Sequence, residues 1–240
     1  MKKFIITAFA LFFISNISSA QFFNKFSLFG GPMVGWQVPN VSDLNDELKK
    51  LGFPSEFSKS GFLTLGGGGF IDVPIVAGLR IGGFGTGFTE DKIYESTIPE
   101  TDILTAKLSF KYAAISIEYA RKISKSFDYT LGGNIGVGTT KIGLSRFGRS
   151  SSGWGFTNGL VSTGNSNNTF STTTYTLNPQ VGIGYNVTKF MYLKLNAGYM
   201  FTIRGDWKLN DVLDVTNVPK GIKADGFNFN LGINFGLFTD

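Results

Sequence analysis

Six ionisable residues are the part of this chain whose types and spacing could do chemistry: Arg80, Lys107, Lys111, Glu118, Asp128 and Lys194, with Asp72 nearby. Glu118 and Asp128 would face each other across a hairpin centred on residue 123, and two facing carboxylates can share or relay a proton. The same mixed-sign set can instead be a salt-bridge network that fills an interior and satisfies its own charges. The second reading is adopted here, so no catalytic residue, cofactor or metal is expected. The 240 residues include no histidine and no cysteine. Without histidine there is no Ser-His or Cys-His pair and the commonest metal-ligand sets are gone. Without cysteine there is no disulfide, thiolate site, catalytic thiol or N-terminal lipid-bearing cysteine. Gly66-Gly67-Gly68-Gly69 is not a phosphate loop, because it lies inside a strand pattern with no helix after it.

The elements that must position these residues are strands. Phe227, Phe229, Leu231, Ile233, Phe235 and Leu237 alternate with Asn228, Asn230, Gly232, Asn234 and Gly236, the two-residue period of a strand with one apolar face. Segments 175–186 and 190–202 repeat it. Eight such segments are read: 24–37, 61–73, 75–88, 102–120, 126–143, 171–186, 189–205 and 224–238. Short connections at Pro74, at Arg121 to Lys125 and at Val187-Thr188 alternate with long ones at 38–60, 89–101, 144–170 and 206–223. An even number of antiparallel strands returns both termini to the short-turn side. The fold class is therefore all-β: an eight-stranded antiparallel up-and-down transmembrane β-barrel with short periplasmic turns and long extracellular loops.

A soluble barrel is set aside because the wet face of its strands would carry charges. The non-apolar face of 227–237 is only Asn and Gly, which suits a narrow lumen. A turn at 187–188 would set Tyr192 against Gly184, Lys194 against Gly182 and Asn196 against Gln180. One at Pro74 would set Arg80 against Gly68, large against small as close packing needs. Trp36, Tyr175, Phe201 and Phe229 would form an outer aromatic girdle, and Tyr119, Phe127, Tyr185 and Phe235 an inner one. In 102–120, Leu104, Ala106, Leu108, Phe110 and Tyr112 share one parity, and Ile115, Ile117 and Tyr119 the other. A β-bulge near Ala113-Ala114 would keep both sets on the lipid face, and the excess length would project above the membrane. Ser42 would cap a helix from Asp43 to Leu51, ended by Gly52. Trp154 and Trp207, with Arg146 and Arg149, would stand in outer loops, where tryptophan anchors partners or folds loops together.

Residues 1–20 read as an address. Lys2 and Lys3 precede the apolar run Phe4 to Ile14, and Ser18-Ser19-Ala20 ends it, the pattern of a cleavable signal. The barrel domain is then 21–240. Loss of the two lysines lowers the formal charge from +5 to +3, too small to suggest nucleic acid as a partner.

With the glycine-rich strands Leu65-Gly66-Gly67-Gly68-Gly69-Phe70 and Ala77-Gly78-Leu79-Arg80-Ile81-Gly82-Gly83, the chain resembles the eight-stranded outer-membrane barrel superfamily of the OmpX and OmpA-transmembrane kind. It is most similar to the PorT-like barrels of Bacteroidota-type bacteria. The resemblance implies the outer membrane, reached through the periplasm, with outer-membrane lipid and lipopolysaccharide around it. Its last strand is similar to the signal read by the barrel-assembly machinery, although Thr239 and Asp240 follow the terminal Phe238. Enzymes on this architecture rely on His with Ser or Asp, so no enzyme is expected. The function expected is non-catalytic, with extracellular loops making structural or binding interactions and a possible protein partner. An accessory subunit of a secretion or assembly complex, or a narrow pore, are the alternatives.

Overall fold

The computed structural model describes residues 27–54, 56–94, 103–147 and 166–237. The segment read as a signal lies outside them, as do Arg149 and Trp154. The strands are β1 (Leu28–Pro39), β2 (Phe62–Asp72), β3 (Leu79–Tyr94), β4 (Ile103–Lys122), β5 (Phe127–Phe147), β6 (Ser166–Thr188), β7 (Met191–Leu209), β8 (Leu213–Val215) and β9 (Gly226–Leu237). Neighbours pair antiparallel from β1 to β7, then β7 with β9 and β9 with β1, which closes an eight-stranded barrel. β8 is a short extra strand, not anticipated from the sequence, that extends only the outer end of β7.

The outer face of the lower barrel is apolar. Leu28, Trp36, Ile81, Ile117, Leu131, Val181, Leu195, Phe229, Leu231 and Phe235 are all exposed. A continuous apolar belt of this kind is untenable in water and ordinary against acyl chains. Closure pairs every strand edge across the belt, as lipid demands. No described helix is long and apolar enough to cross a membrane. Trp36, Tyr175, Phe201 and Phe229 point outward towards the long-loop end, and Tyr119, Phe127, Tyr185 and Phe235 towards the short-turn end.

The wall is uneven. β1, β2 and β9 have 11 or 12 residues, close to a bare span, whereas β4, β5 and β6 have 20, 21 and 23 against ~9–11 needed to cross. Strands β3 to β7 therefore stand above the belt as a tall sheet. Helix α1 (Ser42–Lys50) and the chain from Thr216 to Asp225 rise from the low side and lie against its inner face. Val41, Leu44, Leu48, Phe53, Phe57, Ile222 and Ala224 there meet Phe88, Ala106, Leu108, Phe110, Ile142, Met200 and Trp207. This is an ordinary apolar core, and it sits above the membrane.

That core corrects the reading of β4. No bulge exists at Ala113-Ala114: pairing with β3 and β5 is continuous through both residues. The inward set is unbroken: Ala106, Leu108, Phe110, Tyr112, Ala114, Ser116 and Glu118 are all buried. Leu104 is half-buried against the same core. The side chains keep their parity while the surroundings change. Above the belt the dry side is inside; within the belt the outside faces lipid.

Three hairpin registers also shift. Val73 and Leu79 close a six-residue connection in which Gly78 has φ +82°, so Arg80 pairs with Asp72 and Gly68 with Phe84. β4 and β5 turn through Ile123 to Ser126, so Glu118 faces Gly132 and not Asp128. β6 and β7 turn one residue later than expected: Asn186 faces Tyr192, Gly184 faces Lys194 and Gly182 faces Asn196. The large-small matching survives, because a Cβ on Gly184 would still fall on the Tyr192 ring and one on Gly182 on the Asn196 amide.

Face assignment yields an expected outcome. Leu195 is 53 % exposed in the belt and Asn196 is buried. Leu195→Arg should cost ~2–4 kcal/mol in urea unfolding from lipid vesicles, and Asn196→Ser much less. Equal costs would show that the faces are assigned wrongly.

Candidate functional site

The interior is filled in three storeys. At the short-turn end, Arg80 is the hub. Its Nε donates to Asp72 Oδ1 at 3.1 Å, its Nη2 to Asp128 Oδ2 at 3.1 Å and its Nη1 to Tyr192 Oη at 3.0 Å. Tyr192 Oη donates in turn to Asp128 Oδ1 at 2.7 Å. Glu118 Oε1 stands 3.8 Å from Arg80 Nη1, and Glu118 Oε2 accepts from Lys194 Nζ. Lys194 Nζ also lies 3.9 Å from the centre of the Phe70 ring, and Arg80 lies against Phe29 and Tyr192. These cations meet both carboxylates and ring faces, which suits charges held away from water. Arg80 belongs at the hub because a guanidinium can address three acceptors in one plane.

Four of the six residues singled out from the sequence, Arg80, Glu118, Asp128 and Lys194, meet in this cluster together with Asp72. Lys107 and Lys111 do not. Both face outward above the belt, because their parity on β4 opposes that of the buried Phe110 and Tyr112. Lys107 pairs on the surface with Asp91 at 3.3 Å. The lumen assignment of these two lysines follows from reading Leu108, Phe110 and Tyr112 as lipid-facing with a parity change at Ala113-Ala114; the strand keeps one parity, so both lysines stay on the same outward face as Ile115 and Ile117. The cluster also contains a member not foreseen, Tyr192. Its sequence signal was its inward parity with Lys194.

The middle storey is a layer of neutral amides and hydroxyls. Ser116 Oγ donates to Asn134 Oδ1 at 2.6 Å, Asn134 Nδ2 to Gln180 Oε1 at 3.2 Å, and Asn230 Nδ2 to Asn228 Oδ1 at 3.3 Å. Such groups satisfy one another with no net charge. The third storey is aromatic: the rings of Phe62 and Phe88 stack at 4.7 Å, and those of Phe110 and Tyr112 at 5.2 Å. The lumen is thus charged and amide-lined below and mainly aromatic at the top, where the buried Thr140 and Thr174 hydroxyls still pair at 2.9 Å.

The cap is stitched down by specific bonds. The buried Asn45 side chain bonds both ways to the Phe57 backbone at 2.9 Å. The Gly221 amide donates to Asp43 Oδ2 at 3.1 Å. Arg204 donates to the carbonyls of Pro219 and Val218 at 2.8 and 3.0 Å. Ser42 is not the helix cap: Val41 holds that position, and Asn40 Oδ1 accepts from the Ser42 amide at 3.1 Å. Gly52 ends the helix at φ +84°, the left-handed conformation that a helix terminus assigns to glycine. Lys49 reaches Glu56 at 2.7 Å, and that hydrogen bond holds the Glu56 carboxyl below its ordinary range. Trp207 is a buried core residue, not an exposed anchor.

What the outer end leaves open is an edge. The β2–β3 ladder stops at Leu65 and Gly87, while β3 pairs with β4 as far as Tyr94 and Leu104. From Thr89 to Tyr94 the other side of β3 has no ladder partner among the described residues. Glu90, Asp91 and Lys92 lie along it, charges of the kind that discourage indiscriminate strand pairing.

No family model matches the chain, and no curated protein matches it. Among solved structures it is similar to Ail, the attachment invasion locus protein of Yersinia pestis, at 12 % identity, over 89 % of this chain and 99 % of that one, with a TM-score of 0.36. It is similar to Ail in complex with the heparin analogue sucrose octasulfate at 12 % identity, over 89 % and 98 %, with a TM-score of 0.40. Similarity to the outer membrane protease OmpT from Escherichia coli is 12 % over 90 % and 95 %, with a TM-score of 0.29. At these scores the likenesses carry no activity or ligand across, and the description of the barrel rests on its own register and faces.

The Lys194–Glu118 pair is testable on its own. Removing one partner of a buried pair strands the other, so Lys194→Met should cost ~3–5 kcal/mol in vesicle unfolding. Lys194→Met with Glu118→Leu should recover most of that loss. No recovery in the double variant would show that the pair is not the unit of stability here.

Proposed function

We propose that this chain is a non-catalytic integral outer-membrane barrel whose extracellular end binds a partner. The observation that carries the reading is the near-complete filling of the interior, which leaves a cavity of only about 30 Å³ beside Phe70, Phe84, Lys194 and Asn196. The charges at the short-turn end answer one another, Ser116, Asn134 and Gln180 pair above them, and the outer mouth is closed by an apolar core. Surface is then what the molecule has to offer, and binding residues concentrate on loops held by a rigid scaffold. The tall sheet with its free edge on β3, and the exposed Val212 and Leu213 at the β7–β8 tip, form that surface. Export through a cleavable signal, insertion by the barrel-assembly machinery and a lipopolysaccharide surround belong to the same proposal.

Two alternatives are separable. An accessory subunit of a secretion or assembly complex, the role suggested by the PorT-like resemblance, would co-purify in fixed stoichiometry from mild detergent. A narrow pore would give discrete current steps in a planar bilayer; the filled interior favours none.

The test is a paired pull-down from native membranes. Removing 40–58 would strip α1 from the core, so that variant reports on folding. The informative variants are a Gly-Ser turn in place of 148–165, Val212→Ser with Leu213→Ser, and Glu118→Gln with Asp128→Asn. The outer-surface variants should lose the captured partner and the lumen double variant should keep it. Loss only in the lumen variant, with the barrel still folded, would place function in the interior.

A further inference from the structure

We propose that the outer boundary of the apolar belt on β2, β3 and β4 is a binding site for an anionic acylated lipid of the surrounding leaflet, with Lys111 on its phosphate and a bare groove taking its chain. The proposal rests on the barrel being lipid-embedded and is independent of any protein partner. A groove of about 530 Å³ lies on this wall, lined on its outward side by Leu65, Gly85, Gly87, Lys111, Ala113 and Val137. That volume is within the usual range of small-molecule sites. The register explains it. On β3 the successive outward residues are Gly83, Gly85 and Gly87; Gly85 lies between Gly67 and Ala113, and Gly83 opposes Gly69. Two adjacent strands, β2 and β3, therefore present backbone, and β4 beside them only the Ala113 methyl, where the rest of the belt presents Leu, Ile and Phe.

Internal packing does not demand glycine at the centre of this patch. A Cβ on Gly83 or Gly85 would meet nothing nearer than 3.6 or 3.8 Å, an ordinary contact. The inward glycines differ: a Cβ on Gly66, Gly68, Gly82 or Gly136 would collide with a neighbouring strand. The outward Gly87 is also set by internal packing, since a Cβ there would fall 2.5 Å from the Phe110 carbonyl oxygen and 2.8 Å from Lys111 Cγ, whereas at Gly83 and Gly85 glycine leaves room for something outside the protein.

Charge says what that is. Lys111 is the first outward residue of β4 above Ala113, Ile115 and Ile117, so it stands where acyl chains give way to headgroups. Lys107 has Asp91 at 3.3 Å and Lys141 has Asp211 at 4.0 Å, whereas Lys111 has no carboxylate within ion-pair distance among the described residues. A lysine stem can lie along apolar surface with its ammonium at the interface, and anionic headgroups attract cations placed there. A cation at the head of an apolar groove, with no carboxylate partner among the described residues, matches a phosphate with an acyl chain below it, and a zwitterionic lipid matches it less well.

The experiment is native mass spectrometry of the folded barrel in neutral detergent, with diphosphoryl lipid A as probe and dipalmitoyl phosphatidylcholine as comparator. A heat-dependent shift in gel mobility verifies the folding of each variant separately. Lys111→Gln should lower retained lipid A about fivefold, the order expected for one interfacial lysine. Gly85→Leu, which fills the groove, should lower it as much; if that variant does not fold, Gly85→Ala replaces it with a smaller loss expected. Lys122→Gln, which removes the same charge at the other end of β4, should change nothing. Wild-type retention in folded Lys111→Gln, or equal retention of phosphatidylcholine and lipid A by the wild type, would overturn the proposal. So would a shift from dimer to monomer in Gly85→Leu with lipid retention unchanged, because the groove would then be a contact between copies.

Discussion

The bilayer decides which face of each strand is dry, and it does so along only part of the strand. Within the belt the outer face meets acyl chains and the inner face must hold polar groups that satisfy one another. Above the belt the outer face meets water, so the apolar residues of the same strand belong inside. β4 shows both regimes at one parity. Leu108, Phe110 and Tyr112 are buried inward near the outer end, and Ile115, Ile117 and Tyr119 are exposed outward lower down. The apolar cap, the exterior position of Lys107 and Lys111, and the lower charged lumen all follow from where this change falls.

The same constraint organises the interior. At the levels ringed by lipid, Arg80, Asp128, Glu118, Lys194, Asn134 and Gln180 each find a partner on another strand. Buried ion pairs seldom add much net stability, but leaving one charge of a pair unpaired is costly. The Arg80–Asp128–Tyr192 set and the Lys194–Glu118 pair therefore tie β3 to β5 and β7, and β4 to β7, in one arrangement. The uneven wall complements this. Short β1, β2 and β9 leave a low side, and α1 with the chain before β9 occupies it.

Much of this was legible in the sequence because a two-residue period needs no tertiary information. The alternation in 227–237 and 190–202 identified the closing strands and their faces, and even count with alternating connection lengths identified the up-and-down topology. Register was less legible. Glycine and proline mark a turn but not how many residues it uses, and at Pro74 two interlocking turns ending at Gly78 moved the pairing of Arg80. Polarity alone also could not reveal that β4 passes from lipid to water, because a bulge and a change of surroundings write the same pattern. The cap was invisible for a related reason. The apolar face of α1 is ordinary for any amphipathic helix, and that it covers Phe88 and Phe110 depends on the low side of the wall, a property of all strands together.

The most direct test is a single-cysteine series along 105–119, which the natural absence of cysteine permits without background. Each variant, folded in lipid vesicles, would be treated with a membrane-impermeant maleimide and, separately, labelled and exposed to a lipid-phase quencher. The account predicts one unbroken parity: 107, 109 and 111 react with the maleimide, 115, 117 and 119 are quenched from the lipid, and even positions 106 to 118 are protected from both. Lipid quenching at 106, 108, 110 and 112 instead would mean that the strand changes parity at Ala113-Ala114, and would contradict the inversion of faces on which the structure depends.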